Sequence, residues 1–199
     1  MSTKSGTICS LVEIQPNPTL GEVLDQLVPP REFTKARFDN YLPNSNFPSQ
    51  AVALGSARAF VKPGVIKSLF SKGKAPTYSG IYLDGGFGVG KTHLLAAIWH
   101  EFTGKKAFGS FLAYTSLIGL LGFAEALKHL SQYQLICIDE FELDDPGDTM
   151  LMSRLLSELG AKGIRFAATS NTPPNALGEG RFAARDFARE ISAMADRFQ

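Results

Sequence analysis

The sequence predicts an α/β fold, a parallel sheet covered by helices on both faces, and three observations carry that prediction. Short apolar runs alternate with stretches of helical spacing from Ile81 onward. Those runs are apolar at consecutive positions, as strands buried on both faces are. A glycine-rich turn joins the first run to the first of the helices that follow, the kind of connection at which such sheets bind ligands. A chain of 199 residues is long enough to bury a real core. At 44% hydrophobic and 20% charged, its composition excludes disordered, collagen-like and coiled-coil chains. The 20 Lys+Arg against 19 Asp+Glu leave a net charge of +1, which argues against a strongly basic nucleic-acid module.

The elements follow in order. Residues 1–35 read as an N-terminal extension, broken by Pro16, Pro18, Pro29 and Pro30, with one short helix around Leu20, Val23, Leu24 and Leu27. Residues 36–199 form the main domain. The first 18 residues hold no apolar stretch of signal-peptide length, and the two cysteines, Cys9 and Cys137, make no disulfide framework. A reducing cytoplasm is the expected compartment. Residues 40–83 lack any acid and carry Arg58, Lys62, Lys67, Lys72 and Lys74. Too sparse for a dense basic block, they read as a solvated helix face and a flexible loop rather than as a surface for phosphates.

Strands are predicted at residues 81–83, 108–114, 135–138 and 164–169. Helices are predicted around 94–98, at 117–130 and at 150–159, with Gly104 and Gly160 as left-handed caps. The uncharged run 107–124 reaches membrane-span length, but its small and hydroxylated residues fit a strand followed by a helix better.

Gly85-Gly86-Phe87-Gly88-Val89-Gly90-Lys91-Thr92 matches G-x-x-x-x-G-K-[ST] in full, after a strand and before a helix. Its glycines let backbone N–H groups turn inward onto phosphate oxygens, at the positive end of the helix dipole. Lys91 is placed to reach β- and γ-phosphates, and the Thr92 hydroxyl to ligate Mg²⁺. Leu135-Ile136-Cys137-Ile138 then delivers Asp139 and Glu140 to the end of a central strand. Asp139 suits the magnesium shell; Glu140 suits orienting or deprotonating an attacking water. Six acids in the ten residues 139–148 also read as an acidic helix start with Pro146 in its first turn, and both readings can hold. Asn171 ends the next strand, where its carboxamide can bond a γ-phosphate or the water; a turn before Pro173-Pro174 is the plainer reading. His93, Trp99 and Phe102 read as packing residues, and no Cys/His spacing indicates zinc.

The Asp-Glu pair, an interposed strand and a polar residue on that strand resemble AAA+ ATPases. Residues 135–177, with Asp-Glu-Phe, a later Asp145 or Asp148, and Thr-Ser-Asn before two prolines, resemble the ZapE family of bacterial cell-division ATPases and their mitochondrial AFG-type relatives. The resemblance implies an adenine pocket walled by Phe38, Tyr41 and Pro43. It also implies a site completed in a homo-oligomer by an arginine, Arg197 or its competitors Arg181 and Arg185. Such proteins continue past the position of Gln199 into further sheet and a lid, so the chain is expected to be incomplete at its C-terminus. The implied function is Mg-dependent ATP hydrolysis serving cell division through protein partners such as FtsZ, in the cytoplasm, with no transmembrane span. Gly85 to Ile98 also resembles replication initiators and helicase loaders, which makes a DNA-binding ATPase the alternative; nucleic acid is the less expected partner. A nucleotide-binding scaffold without turnover is a third reading.

Overall fold

Four parallel strands lie in the order β1-β4-β3-β2: β1 is Gly80–Asp84, β2 Lys106–Ser110, β3 Leu135–Asp139 and β4 Arg165–Ser170. The structure is a computed structural model and describes residues 19–62, 80–143 and 145–177. The helices are α1 Leu20–Asp25, α2 Pro48–Val61, α3 Lys91–Glu101, α4 Phe111–Leu121, α5 Phe123–Leu130 and α6 Pro146–Ala161.

Alternate strand residues feed two separate cores, as a sheet buried on both faces requires. Ile81, Leu83, Leu135, Cys137 and Ala167 pack with α2 and α3. Tyr82, Ile136, Ile138, Phe166 and Ala168 pack with α4, α5 and α6. Both faces are therefore covered, as the unbroken apolar runs predict. The extension joins the second core: Leu27 is buried there, and its carbonyl accepts the Phe108 N–H at 2.9 Å.

Three local expectations need correcting. The predicted strand 108–114 stops at Ser110, whose hydroxyl accepts the Ala113 N–H at 3.1 Å and caps α4, so Phe111 to Tyr114 are helical. The single helix predicted over 117–130 is two, because Gly122 takes a φ of +77° that only glycine adopts at little strain. Gly160 lies within α6, and Gly163 rather than Gly160 takes the positive φ that follows it; Gly104 does have a positive φ. Pro146 and the Asp145 cap, which accepts the Asp148 N–H at 3.0 Å, open α6 as expected. The uncharged run is strand and helix, and among the described residues no helix is long and apolar enough to cross a membrane.

Candidate functional site

Residues 85–90 bridge the end of β1 and the start of α3. Gly90 is held at φ +88°, and a Cβ there would lie 2.6 Å from the Tyr41 ring. Tyr41 reaches over the loop, and its hydroxyl donates to the Val89 carbonyl at 2.9 Å. Glycine is thus required twice at this position, by conformation and by space. Phe87, at the tip of the loop, is 89% exposed.

Lys91 is the first residue of α3, and its ammonium turns back into the loop. It donates to the carbonyls of Gly85 and Gly86, each at 2.7 Å, and to Asn171 Oδ1 at 3.0 Å. Burial lowers its pKa from the ordinary lysine value, against the opposing pull of the Asp139, Glu142 and Asp84 carboxylates.

One residue on, Thr92 Oγ1 donates to Asp139 Oδ1 at 3.1 Å, so α3 and β3 meet through a hydroxyl and a carboxylate. Parallel pairing carries this contact across to β4: Ile138 pairs with Ala168, and just beyond them the Thr169 hydroxyl donates to Asp139 Oδ1. The same Thr169 oxygen accepts the Glu140 N–H at 3.1 Å, and the Thr169 carbonyl accepts the Phe141 N–H at 2.7 Å.

Glu140 stands at φ +53°, the only non-glycine residue with positive φ among those described. Such a backbone costs on the order of 1–3 kcal/mol and persists only when the surroundings over-determine it. Here the two bonds to Thr169 and the burial of Phe141 do so: the Phe141 ring is 0% exposed and meets Tyr82 and Phe111 edge-on. The inversion sends Phe141 into the core and leaves Glu140 exposed at the sheet edge.

Glu142 does not take part in the helix start suggested by the acid cluster. Its Oε1 accepts from the Ser170 hydroxyl and the Asn171 N–H, both at 2.9 Å, and its Oε2 from the Thr172 hydroxyl at 3.1 Å. Sequence reasoning missed this role and that of Thr169. The available signal was an acid two residues past Glu140, opposite a Thr-Ser-Asn-Thr run on the next strand.

A cavity of about 670 Å³ opens beside the loop, between α2 and β1, lined among others by Tyr41, Phe47, Val52, Phe60, Leu83 and Lys91. That volume lies in the range of small-molecule sites. Of the three expected wall residues only Tyr41 lines it. Phe38 is buried in the core beneath Arg58, and Pro43 is exposed. Phe47 and Val52, not foreseen, take their place because α2 begins at Pro48 and turns its first residues toward the loop. The three candidate arginines, Arg181, Arg185 and Arg197, fall outside the described residues, as do Lys67, Lys72, Lys74 and Cys9. His93 packs as expected, against the Tyr41 ring and with its Nε2 3.0 Å from the Arg37 carbonyl.

The donor set fits a magnesium nucleotide. Positive-φ glycines open the loop at the N-terminus of α3, and a hydroxyl beside a carboxylate supplies the hard oxygens that magnesium takes. A phosphate loop on β1, a carboxylate pair on β3 and β4 interposed between them define an AAA+ P-loop ATPase fold. A family model described as AFG1-like ATPase matches residues 20–199, and the chain belongs to that family. It is 33% identical over 109 residues to the cell division protein ZapE of Escherichia coli K12, covering 49% of this chain and 29% of that one. It is 26% identical over 172 residues to the Schizosaccharomyces pombe protein C115.02c, covering 73% and 37%. The chain thus spans well under half the length of these relatives. Among solved structures, the replication initiator DnaA bound to AMPPCP and single-stranded DNA superposes with a TM-score of 0.60 at 17% identity, over 79% of this chain and 47% of that one. DnaI does so with 0.59 at 20% identity, over 84% and 89%. Identities this low make the shared fold the whole content of those likenesses.

Proposed function

We propose that the chain binds Mg-ATP at residues 85–92 and hydrolyses it by in-line attack of water, in the service of cell division. The observation that carries the reading is the meeting of Lys91, Thr92, Asp139 and Asn171 at one sheet edge, tied by the 3.1 Å and 3.0 Å bonds between them.

The glycine loop, from Gly85 to Gly90, offers backbone N–H groups to phosphates, and Lys91 exchanges its loop carbonyls for phosphate oxygens. Thr92 and Asp139 would hold Mg²⁺, which when bound neutralises charge developing on the phosphoryl oxygens. Glu140, held exposed at the edge, orients a water and takes its proton. Asn171 fixes the far side of the γ-phosphate position. Tyr41 and the cavity beside it receive the base. Chemistry of this type is mostly positioning and charge stabilisation, which explains why no nucleophilic side chain is needed.

The cell-division role rests on kinship with ZapE and makes division-ring proteins such as FtsZ the partners to test. We place the chain in the cytoplasm and in a homo-oligomer whose neighbouring copy supplies Arg197, Arg181 or Arg185. The DNA-binding alternative rests on the resemblance of Gly85 to Ile98 to replication initiators and helicase loaders and on the shared fold.

The test is phosphate release by the full chain with Mg²⁺ or with excess EDTA, and by Lys91→Ala. Loss of at least about 100-fold in both is expected; full turnover in Lys91→Ala overturns the mechanism. Co-sedimentation with FtsZ polymers is expected. Salt-sensitive binding of single-stranded DNA in its place would favour the loader reading.

A further inference from the structure

We infer that Glu142 is a positioning residue for ATP hydrolysis: it fixes the turn after β4 so that the Asn171 carboxamide stands against Lys91. The inference rests on the roles proposed for Lys91 and Asn171.

Three hydrogen bonds converge on the one carboxylate, from the Ser170 hydroxyl, the Asn171 backbone N–H and the Thr172 hydroxyl. Two more bonds close the turn: the Thr172 N–H donates to Ser170 Oγ at 2.9 Å, and Tyr82 on β1 donates to the Thr172 carbonyl at 2.9 Å. Ser170 is 1% exposed, so the turn is anchored in the core, whereas Asn171 itself is exposed and holds Lys91 through Oδ1 alone. An exposed carboxamide on a turn has no packing to fix its direction. The backbone bond from its own N–H to Glu142 supplies that direction.

Glu142 also lies two residues past Glu140 and three past Asp139, on the segment whose backbone is bonded to Thr169. One short stretch of chain therefore carries the metal-side carboxylate, the water-side carboxylate and the clamp on the phosphate-side amide. Displacement of any of these groups by about 1 Å is enough to slow a reaction that depends on alignment.

The role needs hydrogen-bond acceptors rather than charge. Glutamine keeps Oε1 for Ser170 and Asn171, and its amide N–H can donate to the Thr172 hydroxyl oxygen. Alanine leaves all three donors without this partner.

The experiment compares Glu142→Ala, Glu142→Gln, Asn171→Ala and the double variant Glu142→Ala/Asn171→Ala in the full chain. Glu142→Ala is expected to lower kcat for ATP about tenfold with KM changed less than about threefold, and Glu142→Gln to restore kcat to within about threefold of the parent. The double variant is expected to be no slower than the slower single one, because both changes remove one alignment. In the nucleotide-free protein, exchange of the Asn171 amide hydrogen is expected to accelerate about tenfold in Glu142→Ala and to stay unchanged in Glu142→Gln. Should Glu142→Ala fail to fold, Thr172→Val and Ser170→Ala each remove one bond, and each is expected to show a smaller loss of kcat at constant KM. Normal kcat in Glu142→Ala beside a slow Asn171→Ala, or strictly multiplicative losses in the double variant, overturns the inference alone. Normal kcat in Asn171→Ala removes the role proposed for that residue and the inference with it.

Discussion

The two ends of helix α3 hold positive charge in opposite ways. At its N-terminus Lys91 faces loop carbonyls, an exposed carboxamide and nearby carboxylates, all partners that a phosphate can replace. At its C-terminus Lys106 donates to the carbonyls of His100 and Phe102, at 3.1 and 2.8 Å, and lies 4.7 Å over the Trp99 ring. Nearby, Arg165 sits between the rings of Phe60 and Phe102 and donates to the Phe60 carbonyl. The helix dipole explains the division: its negative end satisfies cations permanently, and its positive end leaves room for an anion. The lysine at one end is held by the helix's own last carbonyls, and the lysine at the other by loop carbonyls and an exposed carboxamide.

The comparison can be broken most strongly at Gly90. A Cβ there would both strain a left-handed backbone and strike Tyr41, so Gly90→Ala is expected to lose about 2 kcal/mol or more of stability and to weaken nucleotide binding together. Denaturant unfolding and fluorescent-nucleotide titration read the two effects; an unchanged midpoint would show that the loop moves aside.

Lys106→Met sharpens the contrast from the other end. It keeps the aliphatic stem and loses two helix-end bonds and a cation–π contact, with an expected loss of about 1–2 kcal/mol in stability. Turnover per folded molecule is expected to stay unchanged; a fall in kcat would mean that the two ends are coupled.

The smallest effect is a pH dependence at His100, whose Nε2 lies 3.0 Å from the Phe33 carbonyl. Burial lowers its pKa below the usual 6.5, aided by the positive charges of Arg37 and Lys106 and opposed by the bond to Phe33. The unfolded chain therefore takes up the proton first as pH falls, and stability declines below about pH 6.5, down to the folded-state value. Replacing His100 with glutamine is expected to flatten that acid slope in thermal unfolding. An unchanged slope would place the titration elsewhere.

Much of the site was legible because its chemistry is local. The glycine loop, Lys91 and Thr92 are adjacent in sequence and need only a strand before and a helix after. Asp139 ends the apolar run of β3, and Asn171, expected to end its strand, stands one residue past the end of β4. The pocket wall was read poorly: of Phe38, Tyr41 and Pro43 only Tyr41 faces the cavity, because a three-residue turn at Phe38–Asn40 buries the first and leaves the third outside. Glu142 was read as one more acid before a helix, since nothing near it in sequence shows which strand lies alongside.

The sequence alone determined the α/β alternation, the phosphate loop and the carboxylate pair, through periodicity and short motifs that depend on neighbours a few residues away. The tertiary structure decided that β4 lies between β1 and β3, and with it that Thr169 bonds Asp139, that Glu142 holds the Asn171 turn and that Tyr41 roofs Gly90. Those contacts join residues about 30 to 50 positions apart, and only strand pairing and helix packing bring such residues within bonding distance.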